Sequence, residues 1–217
     1  MKFLRFLGFL LFFELIASIP VALIGTTKNF VTLFIIIAVS FLAQCGFVLT
    51  VFKFSKYTLK DFSIGKSDTL NFVFFAVLML LNQIFFIILN NNNLLPANNN
   101  NVGVFNLVQS HKIVLTIYFA MIAPILEELL FRGVYYLTFI KEFRDSTIME
   151  IGSSWRYLLV IIFNGLLFAF LHNGTFDLNS VNYFVGGLIL SLSYLKTKKI
   201  SVPIGLHILN NILTMLV

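Results

Sequence analysis

The stretch Ala123-Pro124-Ile125-Leu126-Glu127-Glu128-Leu129-Leu130-Phe131-Arg132-Gly133 sets two adjacent carboxylates and a guanidinium inside an apolar run from about Ile113 to Ile140. A run of that length reads as a bilayer-crossing helix. Ionisable groups in hydrocarbon cost a few kcal/mol each on insertion scales, so their default reading is a functional site. On a helix, Glu128 and Arg132 stand at i and i+4 with the acid first, the favoured order for an ion pair. Glu127 is turned about 100° from Glu128 and lies off that axis. The spacing therefore assigns Glu128 and Arg132 to each other and leaves Glu127 for chemistry. Taken alone, the stretch also fits a purely structural buried ion pair. Pro124 removes a backbone hydrogen bond one turn earlier, so a local kink is expected there.

Outward from this stretch the rest of the chain is equally apolar. Of 217 residues, 59% are hydrophobic and only 11% charged, which excludes an ordinary soluble domain. The expected fold class is all-α, a polytopic membrane helix bundle of about seven transmembrane helices. The spans run about Phe3–Gly25, Phe30–Phe52, Leu70–Leu89, Ile113–Ile140, Tyr157–Leu171, Val181–Leu195 and Ile200–Val217, the last two short enough to be partly re-entrant. Barrel strands would need about ten-residue alternation, which these runs lack. Residues 1–112 are expected to form an N-terminal set of helices and 113–217 a C-terminal core, together one membrane domain. Between them, residues 90–101 hold eight asparagines around Leu-Leu-Pro-Ala and are expected to form a flexible external loop.

The formal charge of +6 invites a nucleic-acid reading, but the basic residues are scattered through short connectors. Twelve of the 15 Lys and Arg residues fall in the N-terminus and in the connectors after spans two, four and six; only Lys28 and Lys112 fall on the other side. That bias places the N-terminus in the cytoplasm and excludes nucleic acid as the partner. The N-terminal run is longer than a signal-peptide core and is expected to be a retained span. The lone Cys45 rules out an intrachain disulfide and cysteine-rich metal sites. Glu14 is a single acid in the first span with no partner nearby in sequence, read as an inward-facing or protonated structural residue.

Two further helices carry titratable groups. Phe168 precedes His172 by one turn at the end of span five, and His207 shares a face of span seven with Asn210 and Asn211. Three helices of one bundle, each with polar chemistry at similar depth, exceed what packing needs. A carboxylate and a histidine can hold and deprotonate a water. A second histidine with an amide can donate to a developing oxyanion. Zinc fits two histidines and a glutamate as ligands, although no H-E-x-x-H is present. A covalent nucleophile is not indicated, for lack of a G-x-S-x-G context.

Glu127-Glu128 with Arg132 as E-E-x-x-x-R, Phe168 with His172 as F-x-x-x-H, and His207 with Asn211 as H-x-x-x-N resemble, in order and spacing, the three motifs of the CPBP family. These are the CAAX-protease and bacteriocin-processing (Abi) intramembrane proteases, including type II CAAX prenyl endopeptidases. The resemblance covers about Ile113 to Val217. It implies that Glu127 and His172 activate water, that His207 and Asn211 stabilise the oxyanion, and that Glu128, Arg132 and Phe168 support the site. It implies a peptide hydrolase of glutamate type with no cofactor, zinc being the other description of the family. The implied partners are a peptide or membrane-anchored, possibly prenylated, protein substrate and the lipid bilayer. Small bacterial members are tied to bacteriocin processing or self-immunity. The abundance of Asn, Phe, Ile and Lys agrees with a bacterial plasma-membrane protein. The C-terminus, Thr214-Met215-Leu216-Val217, is not a CaaX box. A non-catalytic immunity or scaffold protein with the same fold is the alternative function. A proton-coupled transporter is disfavoured by the lack of an internal repeat.

Overall fold

A computed structural model describes residues 2–96, 98–140, 143–145, 147, 150 and 154–216. The described residues form helices and turns without a strand, an all-α polytopic bundle. The longer helices are α1 (Lys2–Thr26), α2 (Phe30–Ser55), α3 (Lys66–Asn91), α4 (Asn99–Ser110), α5 (Lys112–Phe139), α6 (Trp155–Asn173), α7 (Leu178–Thr197) and α8 (Ser201–Leu216). All but α4 and α8 are long and apolar enough to cross a membrane, which gives six spans among the described residues. The expected seventh, α8, has 16 residues. Its described length is short of the ~20 residues needed to cross.

The expected Asn-rich loop is only partly a loop. Helix α3 runs on to Asn91, and Asn98 caps α4 by accepting from the Asn101 N–H at 3.0 Å. The cap supplies a partner for a helix-end donor, which the low apolar content of the segment could not foretell. Asn179 Nδ2 also donates to Pro96 O at 3.0 Å, tying the segment to α7. Ala97 lies outside the described residues, as does half of the expected polar loop Lys141 to Arg156. Glu14, read as partnerless, accepts from Ser18 Oγ at 2.6 Å one turn along α1.

Helix α5 is the hub. Its Leu126, Leu129, Leu130 and Phe131 share one core with Phe6 and Phe13 of α1 and Phe47 of α2. Residues from α6, α7 and α8 complete that core, so both halves of the chain contribute to it. Outward-facing positions such as Phe34, Ile35, Phe41 and Leu42 of α2 are apolar as well, the pattern of a bundle solvated by lipid. Helices α6 and α7 cross most closely at Gly165 and Gly187. A Cβ on Gly187 would lie 3.2 Å from Phe168 Cδ1 and 3.5 Å from Gly165 Cα, so a larger residue there presses on the Phe168 ring.

At the lysine-rich end, Arg144 binds Asp61 at 3.1 Å and Ser55 O at 2.6 Å. Lys198, in the left-handed conformation that ends α7, donates to Phe143 O at 2.8 Å with its Nζ 3.8 Å above the Phe143 ring. Burial lowers its pKa to about 8. At the opposite end, Gly174 (φ 69°) stops α6. Asn173 Nδ2 there donates to Asp177 Oδ1 (2.7 Å) and Ser180 Oγ (2.9 Å). Asp177 in turn caps α7 by accepting from the Ser180 N–H at 3.1 Å. Burial alone would raise the Asp177 carboxyl, but its donors Ser180, Thr175 and Asn173 outweigh that and hold it below its usual value. This knot fixes the end of α6 that carries His172.

Candidate active site

The kink expected at Pro124 takes the form of a widened turn. Residues Tyr118–Ile122 wind as a π-helical turn in which the Ala123 N–H bonds Tyr118 O instead of Phe119 O. A second π turn spans Leu129–Val134, where the Tyr135 N–H bonds Leu130 O. Such insertions of one residue are frequent at functional sites because they re-aim side chains without ending the helix. Between the two lies a single short α segment, Ala123–Glu128, which carries both glutamates.

The glutamates meet different surroundings. Glu128 Oε1 lies 3.1 Å from Arg132 Nη1, and both side chains are wholly buried. Arg132 Nη2 donates to Gly187 O at 2.8 Å, and its guanidinium lies 5.0 Å from the Phe168 ring centroid. Glu127 keeps 16% exposure, so of the two acids it is the one a water or substrate can reach. Its Oε2 stands 3.4 Å from His172 Nε2 and 3.7 Å from His207 Nε2. One oxygen of Glu127 and one nitrogen of each histidine all lie within 4.8 Å of one another. Three helices, α5, α6 and α8, thus deliver three titratable groups to one point.

The far side of each ring fixes its proton. His172 Nδ1 faces Phe168 O at 2.9 Å, and a carbonyl only accepts, so Nδ1 carries hydrogen. In the neutral ring, Nε2 then presents a lone pair to Glu127. His207 Nδ1 faces Glu128 Oε1 at 2.8 Å and donates to it by the same reasoning. Glu128 is therefore shared between Arg132 and His207, a link that helical spacing alone did not reveal. Among the described residues, Glu127 Oε2 is buried without a hydrogen-bond partner within normal reach, which makes it an acceptor for a donor or a cation. Phe168 covers the group: its ring centroid is 4.1 Å from that of His172 and 5.7 Å from that of His207.

Asn211 does not join this cluster through its amide nitrogen. Nδ2 donates instead to Phe119 O at 2.9 Å, in the first π turn. Asn210, its neighbour on α8, accepts from Gln83 of α3 at 2.7 Å. The sequence reading also passed over Asn164 and Gly187. Asn164 is fully buried and its Nδ2 donates to Phe131 O at 3.1 Å, in the second π turn. An asparagine in the middle of an apolar span was the signal available for it. The Gly187 carbonyl, which receives Arg132, carries no side-chain signature at all.

Residues 109–213 match the family described as Rce1-like, the type II CAAX prenyl endopeptidases. The match covers just under half of the chain and supports its membership of the CAAX-protease family. The matched stretch holds α5 to α7, α8 as far as Leu213, and every side chain of the Glu127 cluster. A curated relative is the membrane-embedded CAAX protease MroQ of Staphylococcus aureus (strain USA300). It is 31% identical over 107 residues, 48% of this chain and 40% of the relative. The match therefore spans about two fifths of that protein. No solved structure matches the chain.

Proposed function

We propose that this chain is an intramembrane endopeptidase of glutamate type that cleaves the tail of a membrane-anchored, prenylated or otherwise lipidated peptide. The observation that carries the reading is Glu127 Oε2 facing the Nε2 atoms of both His172 and His207, with Glu128 already engaged by Arg132. Water enters with one hydrogen on Glu127 and the other on the His172 Nε2 lone pair. Glu127 takes a proton as the water oxygen adds to the scissile carbonyl. His207, doubly protonated between Glu127 and Glu128, donates Nε2–H to the oxyanion. The C–N bond then breaks, and the proton held by Glu127 passes to the leaving amine. In this state two carboxylates, one guanidinium and one imidazolium balance in charge, as a low-dielectric site requires. The CAAX-protease core supports an anchored-peptide substrate, and the family resemblance supports a setting in bacteriocin processing or self-immunity.

A second reading is favoured by the same distances. Ligands about 2.0–2.2 Å from a tetrahedral zinc lie about 3.3–3.6 Å apart, close to the 3.4 and 3.7 Å separations of Glu127 from the two histidines. Glu127, His172 and His207 would hold it, with Phe168 O and Glu128 orienting the rings through Nδ1. Zinc would supply a Lewis acid and a water activated near neutral pH.

The test uses purified protein in proteoliposomes with a farnesylated, membrane-anchored peptide, read by mass spectrometry in H₂¹⁸O. One ¹⁸O in the new carboxylate of the product is expected. An intact peptide across a panel of such anchored tails would reject the peptidase. Metal content of the same sample separates the two readings: the glutamate mechanism requires activity without stoichiometric zinc and unchanged by chelator. Zinc lost together with activity in His172→Ala would establish the second reading.

A further inference from the structure

The carbonyl of Phe119 cannot be satisfied by its own helix. In a regular helix it would receive the Ala123 N–H, but that donor is drawn to Tyr118 O by the π turn. The next donor along would belong to residue 124, which is proline and has none. Asn211 Nδ2, from α8, fills the gap at 2.9 Å. The second π turn repeats the pattern. There the Tyr135 N–H is drawn to Leu130 O, and Phe131 O takes Asn164 Nδ2 at 3.1 Å. Asn164 lies eight residues before His172 on α6, about 12 Å along the axis, too far to touch a reacting carbonyl. The chain thus meets the same problem twice with an asparagine from a neighbouring helix, once where no oxyanion can be.

We propose that Asn211 is a positioning residue: it holds the Pro124 turn of α5 against α8 through the Phe119 carbonyl, and so sets Glu127 against His172 and His207. One N–H of its amide acts on the backbone of the helix that carries the glutamate. The clamp also accounts for the one-turn spacing of His207 and Asn211. Both project from one face of α8 onto α5, one to Glu128 and the other to Phe119.

The test is a double-mutant cycle, since Pro124→Ala returns an N–H to position 124 and with it a backbone donor for Phe119 O. Thermal unfolding in detergent reads the clamp without reference to activity. Asn211→Ala should lower the melting temperature by about 2–4 °C in the native background, and by much less in the Pro124→Ala background. Equal losses in the two backgrounds would overturn the clamp. Pro124→Leu supplies the same N–H should the alanine variant not accumulate. The turnover arm rests on the proposed peptidase reading and uses the farnesylated peptide. Asn211→Ala should lose about 100-fold in kcat with KM unchanged, while the double variant should turn over like Pro124→Ala alone. The same fold loss in both backgrounds would assign Asn211 to the oxyanion and reject the positioning role. Coupled melting without cleavage by any form would uphold the clamp and reject the peptidase instead.

Discussion

At the residue scale the chain solves a charge problem. Glu128 and Arg132 are buried together at 3.1 Å; His207 adds a second hydrogen bond to Glu128 Oε1, and Gly187 O accepts one from Arg132 Nη2. Removing either partner leaves a buried charge without its counterion, at a cost of about 3–5 kcal/mol. Glu128→Gln and Arg132→Ala are therefore expected to reduce the amount of folded protein, measured as the monodisperse fraction after detergent extraction. Glu127→Gln should accumulate like the unaltered chain, because Glu127 keeps 16% exposure and makes no bond to the guanidinium. The division between these two acids was legible in the sequence, since i,i+4 spacing on one helix is local information. The His207 link to Glu128 was not, because it joins residues 79 apart and leaves no periodic trace.

At the element scale the decisive features are the two π turns of α5, and sequence gave only half of the signal. Pro124 announced an irregularity, but no proline marks Leu129–Val134, where the widened turn depends on donors from other helices. Asn164→Leu should leave the Phe131 carbonyl buried without a partner, costing about 1–3 kcal/mol. Chemical or thermal unfolding checks this, and a neutral result would mean the second π turn needs no clamp. The Gly165–Gly187 crossing makes a further case. Gly187→Val should displace Phe168 and the carbonyl that holds Arg132, lowering stability through contacts already at 3.2 Å for a Cβ. At the end of α7, burial depresses Lys198 to about 8 from an ordinary 10.5. The folded chain therefore binds fewer protons than the unfolded chain between those values. Stability should rise as pH climbs through that window and be flat below it. Lys198→Met, measured by unfolding from pH 7 to 10.5, should remove the rise.

At the scale of the whole molecule, the bundle assembles one site from helices that are remote in sequence. Composition was enough to expect an all-α membrane protein, and the motif triple was enough to single out α5, α6 and α8. The number of spanning helices was less legible, because α8 has the composition of a span without its length. The Asn-rich segment read as a loop because its capping bonds, to Tyr183 and within α4, are invisible to composition. The lysine bias predicts that the knot of Arg144, Asp61 and Lys198 faces the cytoplasm and that His172 opens toward the other side. In a Cys45→Ser background, a cysteine at Asn93 should react with an impermeant maleimide in intact cells and one at Lys66 should not; the reverse would invert the topology. The central claim is that Glu127, His172 and His207 form one hydrolytic centre. Its most direct test is the rate at which Glu127→Gln protein, matched in amount to the unaltered chain, cleaves the anchored peptide in proteoliposomes. Loss of cleavage with folding intact is the expected result. Cleavage at the full rate would contradict the claim and leave the fold as a scaffold.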